Sequence, residues 1–143
     1  MISKLRCILV IDDDEPTNFF TRVILEEAGY AEHVVTVQSG REALEYLTRS
    51  EDSSRSADAF PSPDLILLDI NMPAMSGWEF LDEYRKLTVT HRIIMVMLTT
   101  SLFPEDREKA ATIPEISGFE NKPISEEKLK AILETYFAGV VHS

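Results

Sequence analysis

The chain contains three unbroken apolar runs, and each of them stops at acidic or hydroxyl side chains. Apolar runs of this length are typical of strands that are buried on both faces, as in a parallel sheet. In such sheets the carboxyl ends of the strands form the edge where ligands bind. The runs and the groups that follow them are 65–68 before Asp69, 7–11 before Asp12-Asp13-Asp14, and 93–98 before Thr99-Thr100-Ser101. The sequence therefore predicts an α/β fold with four acids and several hydroxyls at one edge of its sheet.

Helical patterns separate these runs and complete five strand–helix repeats. Serine followed three residues later by glutamate forms a capping box, which marks a helix start. One such box is Ser39 with Glu42, and a second begins at Ser76. In the first helix, Phe20 falls at helical spacing with the apolar residues that follow it. The predicted strands are about 7–11, 33–37, 64–70, 92–98 and 117–121, and the predicted helices are about 15–28, 39–47, 76–87, 104–113 and 125–137.

The alternation of strands and helices predicts the topology of the sheet. Right-handed crossovers between parallel strands place helices on both faces. The predicted fold is a flavodoxin-like, doubly wound (βα)5 arrangement with a parallel five-stranded sheet in the order 2-1-3-4-5. This order places strands 1 and 3 side by side, so that Asp12, Asp13 and Asp69 become neighbours in space. We expect residues 1–143 to form a single domain with its core at about 5–137.

Composition and charge exclude several classes of function. The net charge of −11 argues against nucleic acid and anionic membrane surfaces as partners. The single cysteine, Cys7, cannot form an internal disulfide, and its strand position indicates inert packing. The apolar runs are too short for a signal peptide or a membrane span, so the expected location is cytoplasmic. The stretch 50–63, with five serines and two prolines, is predicted to be a long mobile loop, and a partner-binding loop is the alternative.

The acidic cluster predicts a site for a divalent cation. Neighbouring carboxylates repel each other unless something neutralises them, and Mg²⁺ prefers carboxylate and water oxygens. The alternative is that the acids only cap the first helix, but Asp14 alone can do that, and three adjacent acids exceed the need. A carboxylate beside a bound metal ion can attack phosphorus. Lys122 after strand 5 and Thr99 after strand 4 are the candidates to hold the phosphoryl oxygens.

Four blocks of sequence stand in order and at suitable spacing over about residues 5–137. They are Ile8 to Glu15, Asp64 to Gly77, Met97 to Ser101, and Gly118 to Pro123. Together they resemble the receiver domain of two-component response regulators, particularly the single-domain, chemotaxis-type members. The resemblance implies a signalling phosphoacceptor rather than an enzyme, although one that catalyses its own phosphoryl transfer and dephosphorylation.

The resemblance also implies partners. The expected phosphoryl donor is a sensor histidine kinase or a histidine phosphotransfer protein. The expected target is a downstream protein that recognises the face formed by helix 4, strand 5 and helix 5. Only residues 138–143 follow the last predicted helix, so no output domain is expected. The apolar pair Val140-Val141 is compatible with a homodimer contact, which the sequence leaves open.

By resemblance, four residues make up the phosphoacceptor and its metal site. Asp69 is expected to accept the phosphoryl group. Asp13 is expected to bind Mg²⁺ directly, and Asp12 mostly through water. The backbone carbonyl of Asn71 is expected to complete the metal site.

By resemblance again, a second set of residues holds the phosphoryl group and transmits the signal. Thr99 is the expected switch hydroxyl, and Lys122 is expected to pair with the phosphoryl oxygens. Phe119 occupies the position of the switch aromatic, where many relatives carry tyrosine. The bond between Lys122 and Pro123 is expected to be cis. Asn71 and Ser101 flank the path of the hydrolytic water.

Three other classes of protein share parts of this pattern. A haloacid-dehalogenase-type phosphatase would use Asp12 as its nucleophile, which leaves Asp69 unexplained. A flavodoxin-like cofactor-binding module needs a glycine- and hydroxyl-rich phosphate loop after strand 1, where this chain has aspartates that repel phosphate. A degenerate receiver domain that only docks would lack competent side chains, whereas every predicted site position is filled here.

Overall fold

The computed structural model of the protein describes residues 4–51, 59–89 and 92–137. Within these residues, five parallel strands alternate with five helices. The strands are β1 (Leu5–Ile11), β2 (Ala31–Val37), β3 (Leu65–Leu68), β4 (Ile94–Thr99) and β5 (Gly118–Asn121). The helices are α1 (Glu15–Ala28), α2 (Gly40–Ser50), α3 (Gly77–Tyr84), α4 (Pro104–Ala111) and α5 (Glu126–Tyr136).

The strand order in the sheet is β2-β1-β3-β4-β5, and the predicted fold class is confirmed. The register pairs Ile11 of β1 with Leu68 of β3, and Leu68 with Met97 of β4. The carboxyl ends of these three central strands therefore lie at the same level. β3 is shorter than the predicted strand over 64–70, because the strand ends at Leu68 and Asp69 already belongs to the following loop.

The core lies on both faces of the sheet. Every residue of β3 is buried, as expected for a central parallel strand with helices on both sides. One cluster packs the sheet against α1 and α5, and the other packs it against α2, α3 and α4. Cys7 of β1 is fully buried, and burial raises the pKa of its thiol to about 11, in keeping with a packing role. None of the helices in the described part of the chain is long and apolar enough to cross a membrane.

Short polar side chains define the starts of four helices. Ser76 and Glu79 form the full reciprocal capping box at α3. The side chains of Asp14, Ser39 and Ser125 accept hydrogen bonds from backbone N–H groups in the first turns of α1, α2 and α5. α4 starts differently, because Phe103 is its N-cap residue and makes no side-chain capping bond. α4 therefore begins without the side-chain capping bond that the other four described helices have.

α1 exposes large apolar side chains. Phe19 and Phe20 are 71% and 48% exposed, although Phe20 falls at helical spacing with the apolar residues after it. The residues that α1 buries fully are Asn18, Thr21 and Leu25. Asn18 is buried because its amide satisfies backbone carbonyls at the ends of β1 and β2, a contact that hydrophobic periodicity does not reveal.

The predicted loop over 50–63 is partly structured. α2 continues through Ser50, and residues 52–58 lie outside the described part of the chain. Phe60 packs edge-on against Tyr46 of α2, with 5.9 Å between the ring centroids. The Tyr46 hydroxyl donates a hydrogen bond of 2.5 Å to the carbonyl oxygen of Pro61. The end of this stretch is therefore fastened to α2, and the prediction of mobility stays a prediction.

Candidate metal centre

Three carboxylates meet at the carboxyl edge of the sheet. Asp12 and Asp13 follow β1, Asp69 follows β3, and one oxygen from each of the three lies within 4.8 Å of the others. Asp12 and Asp69 are 3% and 6% exposed, whereas Asp13 faces solvent. Two buried oxygen donors beside one accessible donor suit a hard divalent cation that retains some of its water. The sequence prediction that these residues become neighbours is confirmed by this geometry.

The ammonium group of Lys122 lies among these carboxylates. It contacts the Asp12 carboxylate directly and lies 3.4 Å from an oxygen of Asp69. The Lys122 side chain is largely buried, so these contacts are poorly screened by water. One cation facing three carboxylates leaves the cluster negative, which favours a further positive charge at the same place.

The pKa of Asp69 is raised above its ordinary value. The largest cause is burial, which removes water from the charged form, and the nearby carboxylates of Asp12 and Asp13 act in the same direction. Lys122 opposes this change by attracting the ionised form. A cation bound at the cluster would favour the ionised form of Asp69, which is the form in which a carboxylate acts as a nucleophile.

The loop between β1 and α1 is held in place by hydrogen bonds to its own residues. The backbone N–H of Asp14 donates to Asp12 Oδ1 at 2.9 Å. The amide of Asn18 donates to the carbonyl oxygens of Asp12 and Val37 at 2.7 and 3.3 Å. These bonds tie the acidic pair to both β1 and β2. Asn18 is a positioning residue that the sequence patterns did not reveal, because nothing in its spacing distinguishes it from a surface asparagine.

The hydroxyl of Thr99 lies at the end of β4. Thr99 is fully buried, and its Oγ1 accepts a hydrogen bond of 3.1 Å from the backbone N–H of Ser101. The Ser101 hydroxyl donates to the carboxylate of Asp106 in α4 and accepts from the N–H of Phe103 at 3.3 Å. Ser101 therefore connects the end of β4 to the first turn of α4.

Phe119 lies in β5, next to β4 and α4. Its ring is half-buried, and the guanidinium carbon of Arg107 in α4 lies 4.6 Å from the ring centroid. A second contact of this type places the Lys109 ammonium 4.6 Å from the ring centroid of Trp78 in α3. The peptide bond between Lys122 and Pro123 is cis, as predicted.

The loop between β3 and α3 passes close behind Asp69. The N–H of Gly77 donates to the carbonyl oxygen of Ile70 at 2.7 Å, and a Cβ atom at Gly77 would lie 2.5 Å from the Asp69 carbonyl oxygen. Ala74 in the same loop has a positive φ of 65°. Asn71 lies two residues after Asp69 with its side chain exposed, and its role as a metal ligand through the carbonyl stays a prediction.

Residues 8–134 match the family described as the response regulator receiver domain. The chain belongs to this family. The two-component response regulator ORR41 from Oryza sativa subsp. japonica is 30% identical over 136 residues, which cover 95% of this chain and 98% of that protein. The crystal structure of a two-component response regulator from Cytophaga hutchinsonii has a TM-score of 0.81 at 28% identity, covering 93% of this chain and 97% of that one. The phosphorylated cyanobacterial phytochrome response regulator RcpA has a TM-score of 0.71 at 29% identity, covering 93% and 94%.

The family and the fold are thus those that the four sequence blocks predicted. The match over residues 8–134 includes every residue predicted for the site. Receiver domains belong to signalling response regulators and are not enzymes in the usual sense, so neither a phosphatase of the haloacid-dehalogenase type nor a flavodoxin-like cofactor carrier fits this chain. Their partners are kinases or phosphotransfer proteins on one side and downstream targets on the other.

Proposed function

We propose that Asp69 accepts a phosphoryl group from a phosphohistidine on a sensor histidine kinase or a histidine phosphotransfer protein. The bond between the histidine nitrogen and phosphorus breaks, and a bond forms between phosphorus and a carboxylate oxygen of Asp69. The imidazole keeps the electron pair and takes up a proton. The main support is that the buried Asp69 carboxylate lies 3.4 Å from the Lys122 ammonium, in one cluster with Asp12 and Asp13.

The chain's own residues position the charges for this transfer. The residues that would hold Mg²⁺ are Asp12, Asp13, Asp69 and the carbonyl of Asn71. When bound, Mg²⁺ would supply positive charge that offsets the negative charge of the carboxylates and of the phosphoryl group. Lys122 is already at the cluster and exchanges part of its contact with Asp12 for a phosphoryl oxygen, so its ammonium needs little movement. Burial of Asp69 excludes bulk water from the reacting carboxylate.

Thr99 transmits the change at Asp69 to the rest of the fold. Its hydroxyl turns from the N–H of Ser101 toward the new phosphoryl oxygens, and Phe119 moves into the space that this releases. The ring lacks a phenolic hydroxyl, so packing and its contact with Arg107 set its position. The face formed by α4, β5 and α5 then changes, and a downstream protein recognises it.

Exposed apolar side chains close to the site in sequence support docking of a protein donor. Leu102 and Phe103 follow Ser101 directly and are 86% and 70% exposed, and Phe19 lies one turn into α1. Large exposed apolar patches rimmed by polar residues mark protein contact surfaces. The acidic chain, with its net charge of −11, favours a donor with a basic contact surface.

The direct test is incubation with acetyl phosphate and Mg²⁺, followed by intact mass spectrometry. We expect the mass of one phosphoryl group to be added, and we expect EDTA to prevent the addition. Asp69→Asn should abolish labelling, whereas Asp12→Asn should leave Asp69 as the labelled residue on peptide mapping. Absence of labelling in the wild-type protein would instead favour a receiver that only docks. Labelling that persists in Asp69→Asn would refute the assignment of the acceptor.

A further inference from the structure

The side chain of Asn121, next to Lys122, bonds to the loop that follows Thr99 at the end of β4. Asn121 ends β5 and is paired with Thr99 in the sheet register. Its amide Nδ2 donates to the carbonyl oxygen of Ser101 at 2.8 Å and lies 3.5 Å from that of Thr99. The last backbone contact between the two strands runs from the N–H of Lys122 to the carbonyl oxygen of Thr99, at 2.8 Å. The Asn121 amide adds a cross-link just beyond this point, where the strands become loops.

Lys128 of α5 holds the second loop from its other side. Its ammonium donates to the carbonyl oxygens of Asn121 and Pro123 at 2.8 and 3.2 Å. These two carbonyls flank Lys122 in the chain. The main chain that carries Lys122 is therefore attached to α5 on one side and to the loop after β4 on the other.

The residue type at position 121 does not follow from the needs of a strand. Asparagine is depleted in strands, where β-branched and aromatic residues are preferred. A residue that opposes the local preference is expected where it serves a site. In this chain the amide does what an apolar strand residue cannot, because it bonds to the carbonyls of Ser101 and Thr99.

We propose that Asn121 and Lys128 are positioning residues that fix the spacing between the Thr99 hydroxyl and the Lys122 ammonium. This inference rests on the proposed function, in which both groups hold the same phosphoryl oxygens. Phosphoryl transfer depends mainly on positioning and charge, so a loop that drifts by a fraction of an ångström lowers the rate. Neither Asn121 nor Lys128 touches the reacting atoms; they act through Thr99 and Lys122.

The test uses near-isosteric variants of the two residues. Asn121→Leu removes the amide, keeps a side chain of similar shape and replaces a residue that is depleted in strands, so the variant is expected to fold. Lys128→Met removes the ammonium, and Lys128→Arg keeps a donor. The matched controls are Lys130→Met, on an exposed position of α5, and Thr135→Val, which removes one hydrogen bond within α5 at 2.8 Å.

Two measurements are made on every variant. The first is the maximal rate constant of phosphorylation by acetyl phosphate at saturating Mg²⁺, which we expect to fall about tenfold in Asn121→Leu and in Lys128→Met. The second is hydrogen–deuterium exchange of the metal-free, unphosphorylated protein in peptides covering 99–103 and 121–123, which we expect to increase in the same two variants. Both controls should match the wild type, and Lys128→Arg should recover most of the rate.

The outcomes separate this inference from the proposed function. If the wild-type protein is not phosphorylated, the proposed function fails, and faster exchange in the two variants still supports the cross-link. If the wild type is phosphorylated while Asn121→Leu and Lys128→Met react as fast as the controls, the positioning role is overturned. It is overturned as well if the rates fall without any increase in exchange at 99–103, because the loss then arises elsewhere.

Discussion

Two glycines offer a matched test of how tightly the loop behind Asp69 is packed. Gly40 and Gly77 are the first residues of α2 and α3, and both follow a capping serine. A Cβ atom added at either position would lie 2.5 Å from its nearest neighbour. At Gly40 that neighbour is the sulfur of Met75, and at Gly77 it is the backbone carbonyl oxygen of Asp69. The same clash thus meets a flexible side chain in one case and the main chain in the other.

The expected energies follow from this difference. Replacing glycine by alanine where the backbone allows it stabilises a protein by about 0.4–1 kcal/mol, a gain common to both sites. At Gly40 the Met75 side chain rotates away, so Gly40→Ala should change the free energy of unfolding by less than about 0.5 kcal/mol. At Gly77 the Cβ would also lie 3.0 Å from the Cα of Ile70, so the loop itself must shift. Overpacking of this kind costs about 1–3 kcal/mol, and Gly77→Ala should be less stable than Gly40→Ala by about 1–2 kcal/mol.

The assay is urea denaturation of the wild type and both variants, followed by circular dichroism. Equal slopes of free energy against urea would show that the unfolded states are comparable. Gly77→Ala should also be phosphorylated more slowly, because the displaced carbonyl belongs to Asp69 itself. If the two variants have the same stability within about 0.5 kcal/mol, the reasoning about a rigid contact behind Asp69 is wrong.

Three further predictions concern the charges at the site. Arg107→Met should lower the acetyl phosphate concentration for half-maximal phosphorylation about two- to fivefold. The reason is that the Phe119 ring no longer has to leave its cation–π contact with Arg107 before it moves. An unchanged concentration would contradict this. The raised pKa of Asp69 makes the folded state hold more protons than the unfolded state at pH values above the ordinary carboxylate pKa. In EDTA, the free energy of unfolding should therefore fall as the pH rises through this range. Asp69→Asn should weaken this decline, and an unaltered pH profile would exclude Asp69 as its source. Mg²⁺ at ten times its dissociation constant should stabilise the wild type by about 1.4 kcal/mol, and Asp13→Asn, with one cluster ligand removed, should lose most of this gain in the same urea assay.

The fold was predictable because its strongest signals are local. Unbroken apolar runs mark strands that are buried on both faces, and serine or aspartate at a helix start accepts a backbone hydrogen bond wherever the helix lies. The order of the strands then follows from handed crossovers, which brings Asp12, Asp13 and Asp69 together. Because the apolar runs also mark where the strands begin and end, the bounds of β1 and β3 could be placed to within about two residues.

The supporting contacts of the site could not be predicted, because they join residues far apart in the chain. Asn18 is buried and bonds to two strand ends, and the partly buried Asn121 bonds to the loop after β4. Asparagine at either position carries no periodic signal. Phe20 shows the reverse case, since its helical spacing with apolar residues suggests a core face, yet its side chain remains 48% exposed.

α4 is held to the rest of the fold by few buried side chains, so a small change in free energy is enough to move it. Of its eight residues, all of which are described, Ala110 alone is buried. Besides the packing of Ala110 in the core, its side-chain contacts include those of Arg107 and Lys109 with aromatic rings and that of Asp106 with Ser101, each on the order of 1 kcal/mol. The sheet can therefore remain a fixed frame while this helix is redistributed between positions. On the proposed function, we expect the charge gained by Asp69 to alter the outer shape at α4 while the hydrophobic interior keeps its packing.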